Sequence, residues 1–116
     1  MNFAKLKKIA KHYGYDTQSR QAIEEMAELT QAINKFWRKE MLCSNYLPKK
    51  DTDSSYRKNI AEEIADVYIC LNQLEILLDI WEEVTEIVDE KIDRTIMRME
   101  GQHEENTDTN DIVNRS

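Results

Sequence analysis

A chain of 116 residues with 16 basic and 23 acidic side chains, formal charge −7, has room for one domain with a modest core. The acidic balance argues against a nucleic-acid partner, which needs a basic face to neutralise phosphates. No apolar run reaches membrane-spanning length and the N-terminus has no apolar signal segment, so no membrane partner and a cytoplasmic location are expected.

Two glycines, one proline and 41% apolar residues favour helices throughout. The expected fold is all-α, with four helices over residues 1–100 and a polar, acidic, disordered tail over 101–116. Cys43 and Cys70 belong to no metal or redox spacing, which predicts reduced thiols.

Residues 3–13 read as a short amphipathic helix, with Phe3, Leu6, Ile9, Ala10 and Tyr13 opposite four lysines. Gly14 is expected to stop it, and Asp16 or Thr17 to cap a second helix running to about Glu40. That second helix carries an apolar stripe of Ala22, Met26, Leu29, Ile33 and Phe36. Glu25 falls just off one edge of the stripe, and Glu28 about 60° further round.

Helical periodicity is lost from Met41 to Asp53, a loop containing Pro48. Lys35, Arg38, Lys39, Lys49 and Lys50 stand on and beside it against one acid, Glu40. Two readings stay open here: a basic helix end complementing the dipole, or a flap that attracts phosphate.

Asp53 or Ser54 opens the third helix, which runs to about Leu78 with Ile60, Ile64, Val67, Leu71, Leu74 and Leu78 as its stripe. Glu63 and Asp66 hold the same offsets from this stripe as Glu25 and Glu28 hold from theirs. Ile69, Cys70, Ile76 and Leu77 add a second apolar band. A helix apolar on most sides is buried on most sides, which predicts a homo-oligomer, dimer or tetramer, with this helix in the interface. Asp79 to Glu82 has capping-box spacing, and the fourth helix is expected to run to about Glu100, with Gly101 ending it. Lys91, Arg94 and Arg98 share one face of that helix, either as salt-bridge and dipole partners or as phosphate ligands.

The two acidic motifs decide most. If the second and third helices pack antiparallel through their stripes, equivalent flanks lie on the same side. Glu25, Glu28, Glu63 and Asp66 then converge, whereas parallel packing would part them. For a single Glu-x-x-Glu, a solvated acidic edge is the better explanation. Two copies in matching register favour a site for a hard divalent cation, Mg²⁺ or Mn²⁺.

Glu25-Met26-Ala27-Glu28 followed by Glu63-Ile64-Ala65-Asp66 resembles the paired acidic signature of the MazG-like all-α nucleoside triphosphate pyrophosphohydrolases. Lys91-Ile92-Asp93-Arg94 with Arg98 is similar to the basic segment that follows in that family, and the likeness covers roughly residues 17–100. The resemblance implies an antiparallel helix bundle, Mg²⁺ at the four carboxylates, and hydrolysis of a (deoxy)nucleoside triphosphate to the monophosphate and pyrophosphate. It implies Glu24 or Glu62 as proton acceptor, Lys91, Arg94 and Arg98 on the outgoing pyrophosphate, and Trp37 on the base, with Phe36 and Tyr68 as other aromatic candidates. One departure concerns the 34 residues between Glu28 and Glu63, more than is usual between the two motifs.

Two rivals compete. A di-iron carboxylate bundle needs Glu-x-x-His pairs, but His12 and His103 lie outside both motifs. A non-enzymatic helical interaction or regulatory module would explain the amphipathic helices and leave the paired motifs as coincidence.

Overall fold

In the computed structural model, which describes residues 1–42 and 54–104, the protein is all-α, with no strand among the described residues. Helix α1 spans Phe3–Phe36 and passes into a π-helical segment, Trp37–Leu42; α2 spans Ser54–Leu78 and α3 spans Trp81–Glu104. Residues 43–53, which include Cys43, Pro48, Lys49 and Lys50, lie outside the described residues, as do residues 105–116 of the expected tail. The chain divides into two units, Met1–Ile80 and Trp81–Ser116.

Asn2 caps α1 by accepting a 3.0 Å hydrogen bond from the Lys5 backbone N–H. Gly14 stops the first helix as expected, but by a kink from which the second helix follows at once. The backbone leaves the helical region at that residue alone, with φ 84° and ψ 169°, and the helix resumes at Tyr15. Asp16 and Thr17 therefore sit inside the helix instead of capping it. A side chain at such dihedrals is strained, so glycine makes the kink possible.

Within the first unit α1 and α2 run antiparallel. Gln18 bonds to Gln73 near one end of the pair, and the Arg57 guanidinium lies 5.8 Å from the Phe36 ring centroid near the other. Buried and half-buried positions recur at Gln18, Ala22, Glu25, Leu29, Ala32 and Phe36 on α1. On α2 they include Tyr56, Ile60, Glu63, Val67, Cys70, Leu74 and Leu77. Alternating steps of four and three are the spacing of a helix seam packed as in a coiled coil.

This seam is rotated from the predicted stripes. Met26 and Ile33 remain 41% and 49% exposed, and Ile64, Leu71 and Leu78 are exposed as well. The reason is size: Ala22 and Ala32 of α1 and Cys70 of α2 are buried, and small residues let two backbones approach where Met26 or Ile33 would hold them apart. At about 100° per residue, Met26, Ile33, Ile64 and Leu71 fall on one flank of the seam, and Glu24, Glu28, Glu62 and Asp66 on the other. The hairpin thus has an apolar side and an acidic side.

At the end of α2, Ile80 N–H bonds to Glu75 C=O at 3.0 Å and Asp79 N–H to Ile76 C=O at 3.2 Å. With Asp79 at φ 56°, this is a Schellman motif closed by an aspartate in the left-handed region. Asp79 thereby terminates α2, and α3 starts two residues later, so the expected capping box is displaced. Helix α3 runs through Gly101 to Glu104, past the predicted stop and into the expected tail. Gly101 does not take the positive φ that would end a helix, and no proline follows it in the helix. No helix among the described residues is long and apolar enough to cross a membrane.

The two glycines give a paired test, because a Cβ at either would meet nothing within 4 Å. Backbone preference alone then sets the sign. Gly14→Ala should cost about 1–3 kcal/mol, the range for a side chain forced into that region. Gly101→Ala should stabilise α3 by about 0.5–1 kcal/mol, the helix-interior difference between the two residues. Circular-dichroism melts of the two variants would measure both.

Candidate metal centre

The rotated seam changes the standing of the acids. Glu25 and Glu63 occupy seam positions between α1 and α2, where the periodicity had placed them beside a stripe. Both are half-buried, and Glu28 and Asp66 are exposed on the acidic flank. One carboxylate oxygen from each of Glu25, Glu28 and Glu63 lies within 4.8 Å of the others. Asp66 is outside that triad, yet its charge acts on both Glu25 and Cys70. The antiparallel pairing therefore brings three of the four expected carboxylates together and sets the fourth alongside.

Gln21 Nε2 donates a 2.7 Å hydrogen bond to Glu25 Oε1 from one turn earlier on α1. Glu25 Oε2 and Glu63 Oε2 are buried and accept no hydrogen bond. A buried carboxylate oxygen without a donor is costly, and a cation is one way to satisfy it. Desolvation raises the Glu25 pKa above the usual glutamate value; the Gln21 hydrogen bond opposes this, and the Glu28 and Asp66 carboxylates add to it. Cys70, a buried free thiol on α2, is likewise pushed up by burial first and then by the charges of Glu25 and Asp66.

The donor set fits a hard divalent ion. Oxygen ligands at about 2.1 Å in an octahedron stand about 3.0 Å apart when adjacent and about 4.2 Å when opposite. Oxygens within 4.8 Å reach those separations by small side-chain adjustments.

The other expected site residues are more dispersed. Glu24 and Glu62 are exposed, each one residue before a seam acid and on the acidic flank. Trp37 is exposed where α1 passes into the π-helical segment, at the Phe36 end of the seam, and Tyr68 is exposed on α2. Lys91 and Arg94 are exposed on α3, and Arg98 is half-buried. Sequence reasoning missed Gln21, Cys70 and the buried pair Gln18 and Gln73. For Gln18 the signal was its spacing, seven residues before Glu25 and in step with the seam; Gln73, seven after the exposed Asp66, had no such signal.

No family model, curated protein or solved structure matches this chain.

Raised affinity of Glu25 for a proton has a definite consequence for stability. The folded state holds that proton more tightly than the unfolded chain does. The resulting destabilisation is present in full above the folded pKa and disappears as pH falls to the ordinary glutamate range. Glu75, whose pKa is raised by burial alone, acts in the same direction. Metal-free protein should therefore melt at higher temperature at about pH 5 than at pH 7, with Glu25→Gln removing part of the difference. At pH 7 that variant should gain about 2–5 °C in Tm, read by calorimetry in a chelator-containing buffer.

Proposed function

We propose that this protein is a Mg²⁺-dependent nucleoside triphosphate pyrophosphohydrolase, releasing a (deoxy)nucleoside monophosphate and pyrophosphate. The observation that carries the reading is the meeting of Glu25, Glu28 and Glu63, with two buried oxygens lacking donors. Surface acids placed for solubility do not occupy a helix seam. The MazG-like likeness of the two motifs supplies the reaction class.

Glu25, Glu28, Glu63 and Asp66 would hold Mg²⁺, with Mn²⁺ as a substitute. Such an ion, when bound, supplies charge neutralisation at the triphosphate and a more acidic water. A carboxylate oxygen of Glu24 or Glu62, both on the acidic flank, accepts the proton that the attacking water loses. Lys91, Arg94 and Arg98 hold the outgoing pyrophosphate, the arginines by paired N–H contacts and the lysine as a point charge. Their support is the sequence pattern and the family likeness. Trp37 offers an exposed ring for the base.

The homo-oligomer belongs to the same proposal, and so do the four-helix bundle and a cytoplasmic location. Support for assembly comes from the exposed apolar flank of Met26, Ile33, Ile64 and Leu71, on the side of the hairpin away from the acids. That flank also favours the second reading, a non-enzymatic helical interaction module.

Two measurements separate the readings. With Mg²⁺ and a panel of nucleoside triphosphates, the wild type should release pyrophosphate, and Glu63→Gln should lose activity by roughly 100-fold while keeping its helical spectrum. Full activity in that variant would overturn the site. A scaffold predicts no change in Tm on adding Mg²⁺ with a non-hydrolysable triphosphate, whereas a bound ligand stabilises by mass action. Light scattering after gel filtration should give a dimer or tetramer, and Ile64→Glu with Leu71→Glu should shift it to monomer.

A further inference from the structure

Two turns from the carboxylates, the seam contains a second polar layer that the proposed chemistry does not use. Gln18 Nε2 donates a 2.7 Å hydrogen bond to Gln73 Oε1, and the two residues are 7% and 2% exposed. The pair joins α1 to α2 directly.

The rest of the seam specifies its axial alignment weakly. Ala22, Leu29 and Ala32 face a row that includes Ile60, Val67, Cys70 and Leu74, and apolar layers of this kind tolerate a slip of seven residues. Charge favours such a slip: sliding α2 by about 10.5 Å, seven residues at about 1.5 Å each, would separate Glu25 and Glu28 from Glu63 and Asp66. Without a cation, repulsion pushes towards that shifted alignment. In it the two amides no longer meet: one glutamine comes opposite a carboxylate, Asp66 or Glu25 according to the direction of the slip, and the other comes opposite Lys11 or Ile80 and loses its amide partner.

We infer that the buried Gln18–Gln73 hydrogen bond is the register lock of the α1–α2 hairpin, holding the carboxylates opposite one another before any cation binds. Both are positioning residues. A single buried polar pair setting alignment at some cost in stability is the best-attested use of such groups between helices. The purpose of the lock rests on the metal reading above; its existence does not.

The test is made on the full chain with Cys43→Ser and Cys70→Ala, and spin labels on cysteines introduced at Arg20 and Tyr68. These positions are exposed, one on each helix. In chelator, the parent should show one inter-label distance. Gln18→Leu with Gln73→Leu, which removes both amides together, should show a second population shifted along the helix axes by about two turns. Adding Glu28→Gln and Asp66→Asn to that variant, which relieves the repulsion, should restore the single distance. A single unshifted distance in the leucine pair would overturn the lock, as would a second population that persists after neutralisation. Should the leucine pair fail to fold, Gln18→Met with Gln73→Met, closer in shape to glutamine and without either amide, replaces it and is read the same way, with a second distance expected and a single one refuting the lock. Mn²⁺ titration by calorimetry on the same proteins keeps the two ideas apart. Heat of binding in the parent with affinity about tenfold weaker in the leucine pair supports both, and no binding to the parent sinks the metal reading while leaving the distance result to decide the lock.

Discussion

Two glutamates stand where a pair of packed helices ordinarily puts apolar side chains, and the local structure depends on how that charge is tolerated. Burying a carboxylate costs several kcal/mol unless hydrogen bonds or an opposite charge compensate. Here compensation is partial. Gln21 serves one oxygen of Glu25, and the second oxygens of Glu25 and Glu63 have no donor. The seam therefore carries carboxylate oxygens whose burial is only partly compensated, while its small residues and its amide pair join the two helices beside them.

Much of this was legible in the residues. The equal offsets of the two acidic motifs required antiparallel packing to bring them together, and α1 and α2 do pack antiparallel. The helix class and the ends of α2 near Ser54 and Leu78 also followed from composition and periodicity. What misled was the ranking of hydrophobicity over size. Met26 and Ile33 look like core by transfer energy, yet alanines fill the contact. For the same reason Gln18 and Gln73 found no place in the expected stripes, although a polar side chain with a partner across the seam is buried at little net cost. Gly14 and Gly101 show that one residue type carries two meanings. Only the surrounding backbone decides between a kink at φ 84° and an unbroken helix.

The seam divides the hairpin into two flanks of different chemistry. Acids gather on one side, and exposed apolar side chains gather on the other. A change on the apolar flank leaves the carboxylates untouched, because the seam lies between them. The break at Gly14 sets one limit of this arrangement, since the continuous seam begins at Gln18 and ends at Phe36.

The alanines at positions 22 and 32 have a further consequence. Small residues at a contact between two rods suit short arms: oxygens of Glu25, Glu28 and Glu63 meet across it within 4.8 Å. Drift at those alanines towards larger residues would widen that contact and disarm all the acids at once, whereas losing any one acid leaves the others in reach. The least conspicuous side chains in the seam are thus the ones that keep its carboxylates within reach of one another.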